Sequence, residues 1–287
     1  MTKIGVVFPQ TEIGSDPLAV RDYAQAAEGL GYDYFLTYEH VLGANPERPG
    51  GWRGPYTFRE VFHEPFVMFG YLAGLTQRIE FVTGILILPQ RQTALVAKQA
   101  AQVAVFAGGR LRLGVGLGWN TVEYEALNED FHTRGKRIEE QVTLLRDLWD
   151  RPLVTFQGEH HSIPDAGINP LPPQPIPVWF GGGADAALRR LARLGDGWMP
   201  NYMPLADLQT ELDKVRGYVR ETGRDPATFG VDVRIYISKT PQDGWAQEAA
   251  QLRAMGVTHI CVNTMGAGFT TLNQHLDALS RFKAEVG

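Results

Sequence analysis

The chain is poor in cysteine, in long apolar runs and in excess positive charge, and each shortage removes a class of function. One cysteine, Cys261, stands among 287 residues, so no internal disulfide can form. It lies in the apolar run Thr258-His259-Ile260-Cys261-Val262, which is expected to bury it as a core thiol in a reducing compartment. No stretch approaches the ~20 apolar residues of a membrane span. Lys and Arg number 27 against 32 Asp and Glu, a formal charge of −5. A nucleic-acid partner is therefore not expected, because a phosphate-backbone binder carries a basic excess. There is no HExxH and no cysteine cluster, and the adjacent His160 and His161 cannot present both rings on one face of a strand. No metal site is expected. After Met1 the chain enters Ile4-Gly5-Val6-Val7-Phe8 and meets Pro9, too short an apolar stretch for a secretory signal, so a cytoplasmic location is expected.

What is present is a rhythm. Candidate strands lie at Lys3 to Phe8, Tyr34 to Tyr38, Ile79 to Leu86, Leu111 to Gly116, Val178 to Phe180, Gly197 to Met199, Phe229 to Ile237 and His259 to Val262. Most are continuous apolar runs, the pattern of strands covered on both faces. Helical patterns follow each one: Pro17 to Leu30, Glu64 to Leu75, Thr93 to Ala107, Arg134 to Trp149, Ala184 to Leu194, Leu205 to Glu221, Trp245 to Met255 and Thr271 to Glu285. Strict alternation implies a parallel sheet, and eight units imply closure into a (β/α)8 TIM barrel. A doubly wound open sheet is the alternative. One α/β domain over residues 1–287 is expected, since such barrels run to this length without splitting. Two segments interrupt the rhythm, about 42–63 after the second strand and about 150–177 before the fifth. Loops this long in a compact domain are usually functional or disordered, and the first follows a strand's C-terminal end, where it is expected to wall an active site.

Three motifs carry candidate chemistry. Thr37-Tyr38-Glu39-His40 ends the second strand, where a barrel places catalysis, and His40 is the candidate acid or base. Gly114-Val115-Gly116-Leu117-Gly118-Trp119 misses the dinucleotide fingerprint, because Trp119 stands where its third glycine belongs. What remains is a strand end where backbone can approach a flat ligand or, equally, a crowded barrel corner, with Trp119, Asn120 and Tyr124 as an amphipathic wall. Gly181-Gly182-Gly183 leads from a strand into a helix, a place where free amides suit a phosphate, or else a bare tight turn.

Longer stretches of the chain resemble the luciferase-like flavin- and deazaflavin-dependent oxidoreductases. The resemblance rests on Arg78 to Arg91, Gly108 to Asn120, Arg134-Gly135 with Glu139-Glu140, Pro177 to Gly183, and Leu194-Gly195-Asp196-Gly197-Trp198, and covers nearly the whole chain. It implies a (β/α)8 barrel binding coenzyme F420 or FMN at the C-terminal ends of its strands. It further implies a non-prolyl cis peptide at Gly84-Ile85 behind the ring, with Thr83 beside it. Gly181, Gly182 and Gly183 would hold the phosphate, Gly116, Gly118, Trp119, Asn120 and Tyr124 would line the ring, and His40 would face the reacting edge. The F420-dependent branch is the nearer one, with Arg48, Arg53 and Arg59 available to the anionic tail of F420. The implied reaction is hydride transfer to or from a small substrate, which Trp52, Tyr56, Phe58 and Phe62 suggest is hydrophobic. The alternatives are an FMN-dependent monooxygenase fed by a separate flavin reductase, and a flavin-binding barrel without catalysis. Sugar-phosphate dehydrogenases of the family carry a Glu just after the fourth strand, where this chain has Gly118-Trp119-Asn120, which puts that activity in doubt. The family also suggests a homodimer.

Overall fold

The computed structural model describes residues 1–287. The strands are β1 (Lys3–Val7), β2 (Tyr34–Thr37), β3 (Glu80–Thr83), β4 (Leu86–Ile87), β5 (Leu111–Gly116), β6 (Val154–Gln157), β7 (Ser162–Ala166), β8 (Val178–Gly181), β9 (Gly197–Met199), β10 (Gly230–Tyr236) and β11 (His259–Asn263). The helices are α1 (Pro17–Gly29), α2 (Pro65–Ala73), α3 (Thr93–Phe106), α4 (Thr121–Ala126), α5 (Arg134–Asp150), α6 (Asp185–Leu194), α7 (Leu205–Glu221), α8 (Trp245–Ala254) and α9 (Leu272–Val286).

Parallel pairing runs β3-β2-β1-β11-β10-β9-β8-β5, and β3 also pairs with β5, so the sheet closes into a (β/α)8 barrel. The open-sheet alternative is thereby removed. The expected third strand, Ile79 to Leu86, is broken: β3 stops at Thr83, the Gly84-Ile85 peptide is cis, and β4 resumes against Val115 and Gly116 of β5. Segment 150–177 contains the antiparallel β6–β7 hairpin, and 42–63 is irregular apart from one bridge between Ala44 and Thr57.

Local chemistry explains the helix starts. Asp16 accepts the Leu18 amide at 2.9 Å ahead of Pro17, Glu64 accepts Val67 at 2.7 Å ahead of Pro65, and Thr271 with Gln274 forms a capping box. The main apolar core lies between barrel and helices, while a smaller cluster including Val7, Leu36, Met199 and Cys261 fills the barrel. Cys261 is fully buried, as its apolar run suggests. Lower in the barrel sits a charged layer. Arg112 lies between the rings of Tyr34 and Trp179 and donates to Asp232 at 3.1 Å, and the Tyr34 hydroxyl donates to the same carboxylate at 2.9 Å. Buried charge survives there because Arg112 is paired with Asp232, lies 3.5 Å from Glu80 and stacks against two aromatic rings.

Two neighbours on α5 fasten the inserted hairpin to the barrel. Glu140 accepts from the Glu159 and His160 amides at 2.8 and 3.0 Å and from His161 Nδ1 at 2.6 Å. Gln141 donates to the carbonyls of Leu88 and Arg91, both at 3.1 Å, and to Thr93 Oγ1, which in turn reaches His161 Nε2 at 2.7 Å. The His161 ring thus bridges Glu140 and Thr93 within this network, and His160 joins it through its amide.

Candidate active site

A cavity of about 730 Å3 opens at the C-terminal ends of the strands, within the size range of ligand sites. One side is glycine: Gly84, Gly116, Gly118 and Gly181 to Gly183 line it, with Ile85 between them. A Cβ on Gly116 would stand 2.8 Å from Ile85 Cδ1, and one on Gly181 would stand 3.0 Å from Ile85 Cγ2. These two strand ends must be bare for the Ile85 side chain to lie across them. Gly183 differs, since nothing lies within 4 Å of where its Cβ would be. The Trp198 indole pins this turn by donating to the Gly182 carbonyl at 2.7 Å, just before α6 begins. A flat face ending in free space beside backbone amides is what a tricyclic ring with a phosphate-bearing tail requires, so the residues fit such a group.

His40 follows β2, beside the Gly84 stave, and lines the cavity in an aromatic nest of Tyr56, Phe62 and Trp119 with ring centroids 4.8 to 5.4 Å away. Its Nδ1 lies 3.1 Å from Oε2 and 3.2 Å from Oε1 of Glu123. Glu123 is fully buried, and its Oε1 also accepts the Val41 amide at 2.7 Å. Burial opposes its charge, but hydrogen bonds from His40, Leu42 and Val41 outweigh burial and hold the carboxyl below the ordinary carboxylate range. An ionised carboxylate only accepts, so Nδ1 is the donor and Nε2 is the ring's remaining acceptor. That arrangement fits a histidine for moving one proton. Glu39 turns away from this pair. It accepts from the Ile87 amide and from Arg91, which also reaches Glu64 at 2.8 Å, tying the end of β2 to β4.

The sequence singled out residues on both sides of the cavity surface. His40, Gly84, Ile85, Gly116, Gly118, Trp119 and Gly181 to Gly183 line it. Thr83, Asn120 and Tyr124 lie behind it. Thr83 donates to the Gly114 carbonyl at 2.7 Å, and Tyr124 donates to the Leu117 carbonyl at 2.5 Å. Asn120 caps α4 by accepting from Val122 at 3.0 Å and Glu123 at 3.4 Å, so it sets the turn that aims Glu123. Of the aromatic loop residues, Tyr56 faces the cavity and Trp52 packs on Trp119 at 5.7 Å, while Phe58 is exposed. Glu123 itself was missed. Its available signal was an Asn three residues ahead of an acid, a helix start hidden by the preceding glycines. A second cavity of about 590 Å3, bordered by Gln90, Arg91, Leu95 and Asn128, shares Glu39 and His40 with the first.

A family model described as luciferase-like monooxygenase matches residues 3–283. The chain belongs to the luciferase-like monooxygenase family. An uncharacterised protein of Mycobacterium tuberculosis is 34% identical over 274 residues, 92% of each chain. An F420-dependent glucose-6-phosphate dehydrogenase of Segniliparus rotundus is 30% identical over 242 residues, 80% of this chain and 67% of the relative. Among solved structures, an F420-dependent secondary alcohol dehydrogenase in complex with an F420-acetone adduct superposes with a TM-score of 0.80 at 17% identity, covering 99% of this chain and 98% of that one. The (β/α)8 fold is thus shared at low sequence identity.

Proposed function

We propose that the protein is a coenzyme F420-dependent oxidoreductase transferring hydride to or from a small organic substrate, with His40 handling the accompanying proton. The observation that carries this reading is the His40–Glu123 pair facing a glycine-walled cavity. Kinship with enzymes named F420-dependent supports the choice of cofactor. Gly84, Ile85, Gly116 and Gly118 would hold the ring, and Gly181 to Gly183 the phosphate. Bound there, F420 supplies a carbon-centred two-electron carrier that exchanges hydride rather than activating oxygen.

The chain's own residues do the rest. Glu123 orients the His40 ring and fixes a proton on Nδ1, which leaves Nε2 to take or return one proton at the substrate. Tyr56, Phe62 and Trp119 pack around that ring and keep bulk water off it. The stretch Gly118-Trp119-Asn120 stands where sugar-phosphate dehydrogenases of the family carry a Glu, so sugar-phosphate oxidation is not part of this reading. Thr83, Asn120 and Tyr124 act as positioning residues.

Fluorescence titration of the apoprotein with F420 and with FMN tests the reading. Saturable F420 binding with weaker FMN binding is expected. Tight FMN binding with none for F420 would overturn it in favour of an FMN-dependent monooxygenase. A loaded protein whose turnover of a broad substrate panel is nil would instead indicate a non-catalytic flavin-binding barrel. No helix is long and apolar enough to cross a membrane. A cytoplasmic location belongs to the proposal, as does a separate F420 or flavin reductase, since no dinucleotide fingerprint is present. So does a homodimer through α2 and α3, where Val67, Leu95 and Phe106 are exposed and the Gln90 amide is buried without a partner.

A further inference from the structure

One charge in the cavity has no acid to answer it. Arg234 lies on the inward face of β10, two residues beyond Asp232 and two before Tyr236, and lines the cavity. Both oxygens of Asp232 are committed lower in the barrel, to the Tyr34 hydroxyl and to Arg112. The Arg234 guanidinium makes a single hydrogen bond, from Nη2 to the Pro200 carbonyl, and its Nε is buried with no partner. Glu39, the one acidic residue of the wall, is taken by Arg91 and the Ile87 amide. A guanidinium does not lose its proton in a protein, and a charge withdrawn from water is unfavourable until something pairs with it.

The neighbouring polar group has the same bias. The Tyr38 hydroxyl accepts from Asn263 Nδ2 at 3.1 Å, so its own proton is left to give, and the Tyr38 ring lies 5.9 Å from the Arg234 guanidinium carbon. Asn263 Oδ1 is used by the Met265 amide at 2.9 Å. Guanidinium edge and phenol together offer donors and no acceptor. Their place in the barrel matters as well. Gly84, Gly116 and Gly181 lie at the ends of β3, β5 and β8, three consecutive staves, whereas Arg234 and Asn263 lie on β10 and β11 across the barrel, and Tyr38 follows β2, beside β3. A flat ring resting on the glycine side leaves the reacting ligand between the ring and Arg234.

We propose that Arg234, with Tyr38, binds a carboxylate of the substrate, so that the substrate is a small organic acid rather than a neutral hydrophobic molecule. A guanidinium with donors left unfilled suits the planar, two-oxygen geometry of a carboxylate. This proposal rests on the oxidoreductase reading only for where the cofactor lies.

The test uses benzoate and its neutral isostere benzamide, titrated into protein loaded with whichever of F420 or FMN it binds, and read by the cofactor's absorbance. The same titration on apoprotein is read by tryptophan emission. Benzoate is expected to bind at least 10-fold tighter than benzamide. Arg234→Met is expected to abolish that preference and Arg234→Lys to keep part of it, with cofactor Kd within 2-fold of wild type in both. Equal binding of the two probes by wild type overturns the proposal, and this outcome needs no folded variant. So does a 10-fold weaker hold on the reduced cofactor in Arg234→Met with benzoate binding unchanged, which would assign the guanidinium to the ring. Inorganic phosphate binding tighter than benzoate would overturn the choice of carboxylate. Should FMN bind and F420 not, the F420 reading falls while the benzoate comparison still decides the role of Arg234.

Discussion

Glu123 serves His40 and the chain that follows it with one carboxylate: its oxygens lie 3.1 and 3.2 Å from His40 Nδ1, and one of them also accepts the Val41 amide at 2.7 Å. The His40 ring and the start of the 42–63 loop therefore share an anchor. Glu123→Gln keeps the shape but leaves one oxygen for several donors. Steady-state kinetics should show kcat lower by about 10²-fold, the usual weight of a positioned acid or base, with cofactor Kd unchanged. A parallel loss of cofactor binding would mean that the pair is structural.

Gly183 and Gly116 look alike in sequence and should behave differently. Gly183→Ala meets nothing in the protein, so the apoprotein's Tm should stay within about 2 °C of wild type, as for a surface substitution. Fluorescence titration should nonetheless show cofactor binding weakened roughly 10-fold, because a cofactor would occupy that space. Gly116→Ala drives a methyl toward Ile85 and should lower both Tm and affinity.

Acid should weaken the fold in two windows. Burial lowers the His275 pKa to about 4, and the ring's Nδ1 is bonded to Thr264 Oγ1 at 2.7 Å. An unfolded imidazole titrates near ~6.5, so its contribution is complete above that pH and is lost as pH falls toward 4. Glu123 has the depressed carboxylate pattern: its contribution is complete above ~4.3 and is lost as pH falls through its folded value. Scanning calorimetry from pH 8 to 3 should show Tm falling below pH ~6.5, and His275→Gln should reduce that first slope, part of which belongs to His259, whose pKa burial also lowers.

Arg53 and Arg59 stand exposed on the 42–63 loop, and neither lines the cavity. Arg53→Glu with Arg59→Glu should weaken F420 by roughly 3- to 10-fold at low salt, the scale of two exposed ion pairs. Binding of a tail-less deazaflavin should not change. Equal loss for both ligands would remove the arginines from tail recognition.

Val67→Glu with Leu95→Glu places charge on the exposed faces of α2 and α3. Light scattering after size exclusion should report a dimer for wild type and a monomer for the double variant.

The barrel was legible because its signals are local. Each expected strand overlaps an observed one and each expected helix is present, since covered strands read as apolar runs and caps such as Asp16-Pro17 mark helix starts. The break at Gly84-Ile85 came only from family resemblance, as nothing in the run Ile79 to Leu86 reports a peptide isomer. The site was half legible. Glycines at strand ends are visible one by one, whereas the Glu123 contact joins residues 83 positions apart. Thr83, Asn120 and Tyr124 were placed on the cavity because they flank its motifs. Flanking does not show which way a side chain turns. Arg234 carried an overlooked signal, because Asp232, Arg234 and Tyr236 alternate along a strand that an apolar barrel interior would make aliphatic.

The adjacent Glu140 and Gln141 hold two distant pieces of chain at once, the hairpin turn and the segment from Leu88 to Thr93 that leaves the glycine wall. Amide hydrogens at Glu159 and His160 and those just beyond β4 are therefore expected to exchange with solvent at a common rate, as one cooperative opening unit. The inserted hairpin is on this account not a free appendage. Its loss would be felt as faster exchange along the rim where the ring would rest.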